Sequence, residues 1–202
     1  MKRLYENIED IHIKGNPAEL TSVISAMDIS LQNIAAGTEQ VFGMLLKYSS
    51  SNMGAQYEKA MNTAISLRDV LARASVDLNA MQNDVVAYQN KIFRYEDMTE
   101  YAATPNAYMV ERTMVTVDSS TVRFSLYEME SVVVGLQNYS EAIVYHTRNL
   151  IANKDQIASI WCDTQYTLFS EFIDAVCGEI VDALKSFDEY VSYLEQKIKE
   201  LN

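Results

Sequence analysis

The chain has 202 residues, 49% of them hydrophobic, with only 6 Gly and 2 Pro and a net charge of −12. An apolar share of that size excludes a disordered tract, and so few turn residues argue against a β-rich fold, which leaves an all-α protein. Residues 1–106 hold 9 Lys+Arg against 13 Asp+Glu and the rest 7 against 15, so both halves are acidic and neither nucleic acid nor an anionic membrane is an expected partner.

The chain opens Met1-Lys2-Arg3-Leu4-Tyr5 with charge but no apolar run behind it. That is not a secretory signal, so cytoplasmic synthesis without a signal peptide is expected, with export, if any, by a signal-peptide-independent route. No stretch reaches the roughly 18 apolar residues of a membrane span. The first predicted helix starts at Asn16-Pro17, where Asn16 is the candidate cap and Pro17 fits the first helical position. Leu20, Ile24, Met27, Leu31, Ile34, Val41, Leu45 and Tyr48 then recur in steps of four and three, with Thr38 in one slot. The polar run Ser49 to Asn52 and Gly54 end it.

A second helix carries Tyr57, Met61, Ala64, Leu71, Leu78, Met81, Val85, Tyr88, Ile92 and Tyr95 on one stripe, interrupted by Arg68, and runs to about Met98. Pro105 lies in the break that follows. A third is expected near Asp118-Ser119, with Asp118 as its candidate cap and Val122, Leu126, Met129, Val133, Leu136, Ile143 and Leu150 on its seam. A small β-hairpin over Met114 to Leu126 competes with that start. The fourth follows Trp161-Cys162-Asp163, with Phe169, Ile173, Val176, Ile180, Leu184, Phe187, Val191, Leu194, Ile198 and Leu201 in an unbroken seam.

Short breaks within each pair of helices predict two consecutive antiparallel hairpins, residues 1–106 and 107–202, and the spacing near 3.5 predicts coiled-coil-like packing. Four helices in one bundle and two hairpins end to end both satisfy this pattern. The halves echo each other: Gln56-Tyr57 against Gln165-Tyr166, Val86 to Ile92 against Val191 to Ile198, and Asn16-Pro17 against Asp118-Ser119.

The second half resembles the WXG family of type VII (ESX-type) secretion proteins. Val117-Asp118 matches that family's opening, Trp161-Cys162-Asp163 stands at its Trp-x-Gly turn, and Phe169 follows at a suitable distance. The first half has similar dimensions, with Gly54 at its turn and no Trp. The family implies a helical-hairpin fold and export without a cleaved signal. It also implies a helical partner: a larger effector, a secretion component, or the chain itself. The chain departs from the family in two places. Asp163 replaces the turn glycine, and Tyr190 and Tyr193 are followed four residues on by Leu194 and Lys197, where the export motif has an acid. At the turn, Trp161 should cover the hairpin tip with its N–H bonded to a carbonyl, and Asp163 should cap the fourth helix.

No catalytic residue, metal ligand set or cofactor is expected. Glu9 to His12 is a single Glu-x-x-His with no second copy, and Glu141 to His146 has the wrong spacing. On one straight helix Cys162 and Cys177 would stand about 22 Å apart, too far to bridge. That leaves two free thiols in a reducing compartment, or an intermolecular disulfide after export. Tyr48, Tyr57, Tyr88 and Tyr95, with Met27, Met61, Met81 and Met129, either fill the core or line an adaptable groove. In the second case Tyr88, Tyr95, Tyr190 and Tyr193 form the candidate partner-binding seam. The expected function is a type VII secretion-associated helical protein, a substrate or a small partner for the helical leader of a larger effector. The alternative is a cytoplasmic structural or adaptor bundle that oligomerises.

Overall fold

The computed structural model describes residues 17–99, 104–111, 120–159, 161 and 163–201. Four helices account for most of them: α1 Pro17–Tyr48, α2 Ala55–Tyr95, α3 Leu126–Ile157 and α4 Thr164–Leu201. Each forms because one stripe is apolar. In α1 the stripe Leu20, Met27, Leu31, Ile34, Val41 and Leu45 is buried, as are Met129, Val133, Leu136, Ile143 and Leu150 in α3. Thr38 and Thr147 sit in these seams and are buried too. The Thr38 hydroxyl donates back to the Ile34 carbonyl at 2.7 Å and lies 2.9 Å from the Tyr139 hydroxyl, so its polarity is satisfied inside the core.

The helices form one bundle with a single hydrophobic core. α1 packs on α2 and α3, and α4 packs on α2 and α3, which leaves α1/α4 and α2/α3 as diagonals. Hydrogen bonds fix the directions. The Asn52 side chain, just past α1, accepts from the Ser125 N–H at 3.0 Å and donates to Glu128 at 2.9 Å, placing the start of α3 beside the α1–α2 turn. The α3–α4 turn lies at the other end, where Trp161 stacks on Tyr88. Every neighbouring pair is therefore antiparallel, in an up-down-down-up order with one long crossover between α2 and α3.

Part of that crossover is held against the first hairpin. Asn79 donates to the Tyr108 carbonyl at 2.8 Å, Val110 N–H donates to the Ser75 hydroxyl at 3.3 Å, and Asn106 reaches Asp28 at 3.2 Å. Side-chain amides also stitch α2 to α1: Gln82 donates to the Ile24 carbonyl at 3.0 Å and Gln89 to the Thr21 hydroxyl at 2.8 Å.

The third helix departs from the sequence-based expectation. It begins at Leu126 with Ser125 as N-cap, whose hydroxyl accepts from Glu128 N–H at 3.4 Å. Val122 fits the four-three steps but lies before the cap, 78% exposed, in an extended piece where Arg123 pairs with Met53 across an isolated antiparallel bridge. Asp118 and Asn16, the caps proposed for the third and first helices, lie outside the described residues. The second helix stops at Tyr95, not Met98, and Asp97 takes a positive φ of 51°.

The two hairpins repeat in one register. α1 and α3 each have 32 residues, and their first residues differ by 109 (126 minus 17), as do those of α2 and α4 (164 minus 55). The same shift carries the buried Leu20, Val23, Ile24, Met27, Ile34, Thr38 and Val41 onto the buried Met129, Val132, Val133, Leu136, Ile143, Thr147 and Leu150. It also carries Tyr57, which donates to the Leu45 carbonyl, onto Tyr166, which donates to Lys154; both bonds span 12 positions. The fold is thus a duplicated hairpin packed on itself about an approximate two-fold.

Candidate functional site

The features singled out at the second turn do come together. Trp161 is buried and stacks on Tyr88 at 5.4 Å, with Phe169 at 5.4 Å and Tyr166 edge-on at 5.9 Å. Two of these rings come from the start of α4 and one from α2, so the indole joins the hairpins. Asp163 does two jobs. One carboxylate oxygen caps α4, accepting from Gln165 N–H at 2.8 Å and Tyr166 N–H at 3.1 Å, and the other accepts from the Tyr88 hydroxyl. A glycine there could do neither, which gives the departure from Trp-x-Gly a physical role.

One expectation about this cage is corrected. The indole N–H has no carbonyl partner: among the described residues its nitrogen is buried without a hydrogen bond of good geometry. It faces the Tyr88 hydroxyl and weakly opposes the rise in that phenol's pKa. Burial, the first cause of the rise, and then Asp163 outweigh it.

The proposed partner-binding seam does not survive as a surface. Tyr88 and Tyr190 are buried; Tyr190 donates to the Gln56 carbonyl at 2.8 Å and so ties α4 to the start of α2. Tyr95, expected on the seam, is 79% exposed because it is the last residue of α2 and lies beyond the packed stripe. Tyr193 is 38% exposed, tilted on Tyr190 at 5.9 Å, with the Lys59 ammonium 5.0 Å from the Tyr190 ring and 5.6 Å from its own. Met27, Met61, Met81 and Met129 are all buried, so methionine and tyrosine fill the core here.

The buried tyrosines make stability fall in base. Burial raises the Tyr139 phenol to about 12, against smaller opposing effects from Thr38 and Arg68, and raises Tyr190 to about 12. Tyr57 and Tyr88 shift the same way. An unfolded tyrosine releases its proton near pH 10. The native contribution is therefore fully present below pH 10 and lost as pH rises through the folded values. Melting followed by circular dichroism should give a Tm that changes little from pH 7 to 8 and a steep decline by pH 11.5. An unchanged Tm at pH 11.5 would contradict this reading.

Cys177 is buried and free, its sulfur 4.0 Å from the Thr147 carbonyl. Burial, then Asp174, pushes the thiol up to about 12, while Lys154 pulls the other way. In a Cys162→Ser chain, iodoacetamide at pH 8 should leave Cys177 unmodified until denaturant is added; rapid labelling of native protein would refute its burial. Cys162 itself lies outside the described residues. Nearby, the buried Lys154 ammonium bonds Asp174 at 2.5 Å and Asp155 at 3.1 Å, and Ser140 donates to Asp188 at 2.5 Å. The bonds to Asp174 and Asp188 join α3 to α4.

At the opposite end of the bundle a cleft of about 290 Å³ opens beside the α1–α2 turn. Tyr57, Met129, Leu194 and Ile198 line it, and the exposed Val122, Phe124 and Leu201 stand at its rim with Arg123 and Lys197. Its lining is almost wholly apolar. Periodicity could not have located this cleft, since Val122 and Phe124 lie outside the helices.

Among the described residues no three His, Cys, Asp or Glu side chains are grouped to hold a metal ion, and no helix is long and apolar enough to cross a membrane. His12 lies outside those residues. No family model, no curated protein and no solved structure matches the chain.

Proposed function

We propose that this chain is a non-enzymatic, protein-binding bundle associated with type VII secretion, acting as a substrate or as a small partner of a larger effector. One observation carries the reading: two hairpins of one repeated register pack antiparallel, with a tryptophan and a helix-capping residue at the second turn. That is the arrangement expected if two proteins resembling the WXG family were joined in one chain. Several polar groups in the core pair with one another or with backbone, as Thr38 does with Tyr139 and the Gln82 amide N–H with the Ile24 carbonyl, which suits a scaffold.

The helix seams are used up inside the chain. A partner helix would have to displace a hairpin to reach them, so recognition falls to the bundle ends and outer faces. For the same reason oligomerisation through the seams, the adaptor alternative, is disfavoured.

A tagged full-length chain expressed in a cell with a type VII system tests the proposal. The expected result is recovery from the medium that depends on the system's ATPase, or co-purification with that ATPase or an effector. Absence from the medium together with no such co-purification would reject it.

A further inference from the structure

We propose that the apolar cleft at the α1–α2 end binds an aromatic side chain of a partner polypeptide, followed at the second position by a carboxylate. The inference comes from the bundle's own approximate two-fold. Shifting by 109 residues carries Asn52 onto Trp161, Gly54 onto Asp163, Tyr57 onto Tyr166, Ala60 onto Phe169 and Lys197 onto Tyr88. Asn52, Gly54, Tyr57 and Lys197 all line the cleft. It is therefore the counterpart of the Trp161 cage, with the indole replaced by an amide and one phenyl ring by a methyl.

What fills the occupied end shows what fits the vacant one. There an indole lies against Tyr88, Tyr166 and Phe169, and the carboxylate two residues on binds the hydroxyl of Tyr88. Here Asn52 turns away to hold Ser125 and Glu128, and Gly54 offers no carboxylate. Lys197 holds the register position that Tyr88 holds at the other end; its ammonium pairs with the half-exposed Glu200 at 2.8 Å and lies 6.0 Å from the Tyr193 ring, and Arg123 lines the same cleft. Two cations beside an apolar cleft, in a chain of net charge −12, favour an aromatic anchor with a neighbouring acid over a basic segment.

A fluorescein-labelled peptide with the sequence of residues 158–169, its cysteine replaced by serine, supplies the Trp-x-Asp probe for titration against the full chain. Anisotropy should saturate at micromolar to sub-millimolar protein, and amide shift changes should be confined to the cleft residues. Replacing the peptide's tryptophan by alanine should weaken binding at least tenfold, as should Lys197→Glu or the double variant Val122→Asp/Leu201→Asp in the protein. These protein substitutions lie at exposed positions, and their melting curves should match wild type.

Four outcomes would overturn the assignment: no saturable binding, equal binding by the alanine peptide, shifts mapping elsewhere, or self-association of the chain through the same residues. Peptide capture at this end does not depend on export, so either proposal can fail alone.

Discussion

Trp161→Ala should be among the most damaging single substitutions in the chain, lowering stability by about 3–5 kcal/mol. The indole is 2% exposed and lies within 6 Å, centroid to centroid, of three aromatic rings drawn from both hairpins. Removing it leaves a cavity that helix ends pinned by Asp163 cannot close. For a domain of this size that corresponds to a Tm lower by roughly 10 °C. Trp161→Phe should cost half of this or less, since a ring still stacks on Tyr88 and a buried N–H without a good partner is removed. Thermal melts of the two variants decide the matter. Equal losses would mean that the indole N–H, not the stacked surface, holds the turn.

A second large effect is expected when the chain is divided. Residues 1–112 and 113–202 each contain one hairpin, but the core runs through both without a break. A lone hairpin leaves the inward faces of both helices in water, and two helices cannot bury their stripes on each other alone. Neither fragment should melt cooperatively as a monomer. Mixing them in equal amounts should restore the helical signal and a sharp transition. A fragment that is monomeric by sedimentation and melts near the Tm of the full chain would show that the hairpins are separate folding units.

The helices were legible because their seams are regular and Gly and Pro are scarce. Val122 keeps the four-three step, but the bridge from Arg123 to Met53 and the Ser125 cap override it, so α3 starts at Leu126. Periodicity puts Tyr95 on the seam but does not reveal where a neighbour ends, and the ring is exposed. The choice between one bundle and two end-to-end hairpins could not be made from periodicity, since each seam has the same spacing in either arrangement. The register of the repeat was partly visible: Gln56-Tyr57 against Gln165-Tyr166 has the structural offset, and applied to Asn16-Pro17 it lands on Ser125-Leu126, the observed start of α3. The match of Val86 to Ile92 with Val191 to Ile198 lies out of that register, because Tyr88 corresponds to Lys197.

Side-by-side antiparallel hairpins are tested most directly by pulsed electron–electron distances between spin labels on exposed helix positions in a cysteine-free chain. α2 has 41 residues and is about 60 Å long. Labels at Arg94 and Thr164 should lie at one end, within about 30 Å, whereas labels at Arg94 and Lys199 should be separated by about 50 Å or more. A short distance from Arg94 to Lys199 with a long one from Arg94 to Thr164 would place the hairpins end to end and contradict the single bundle.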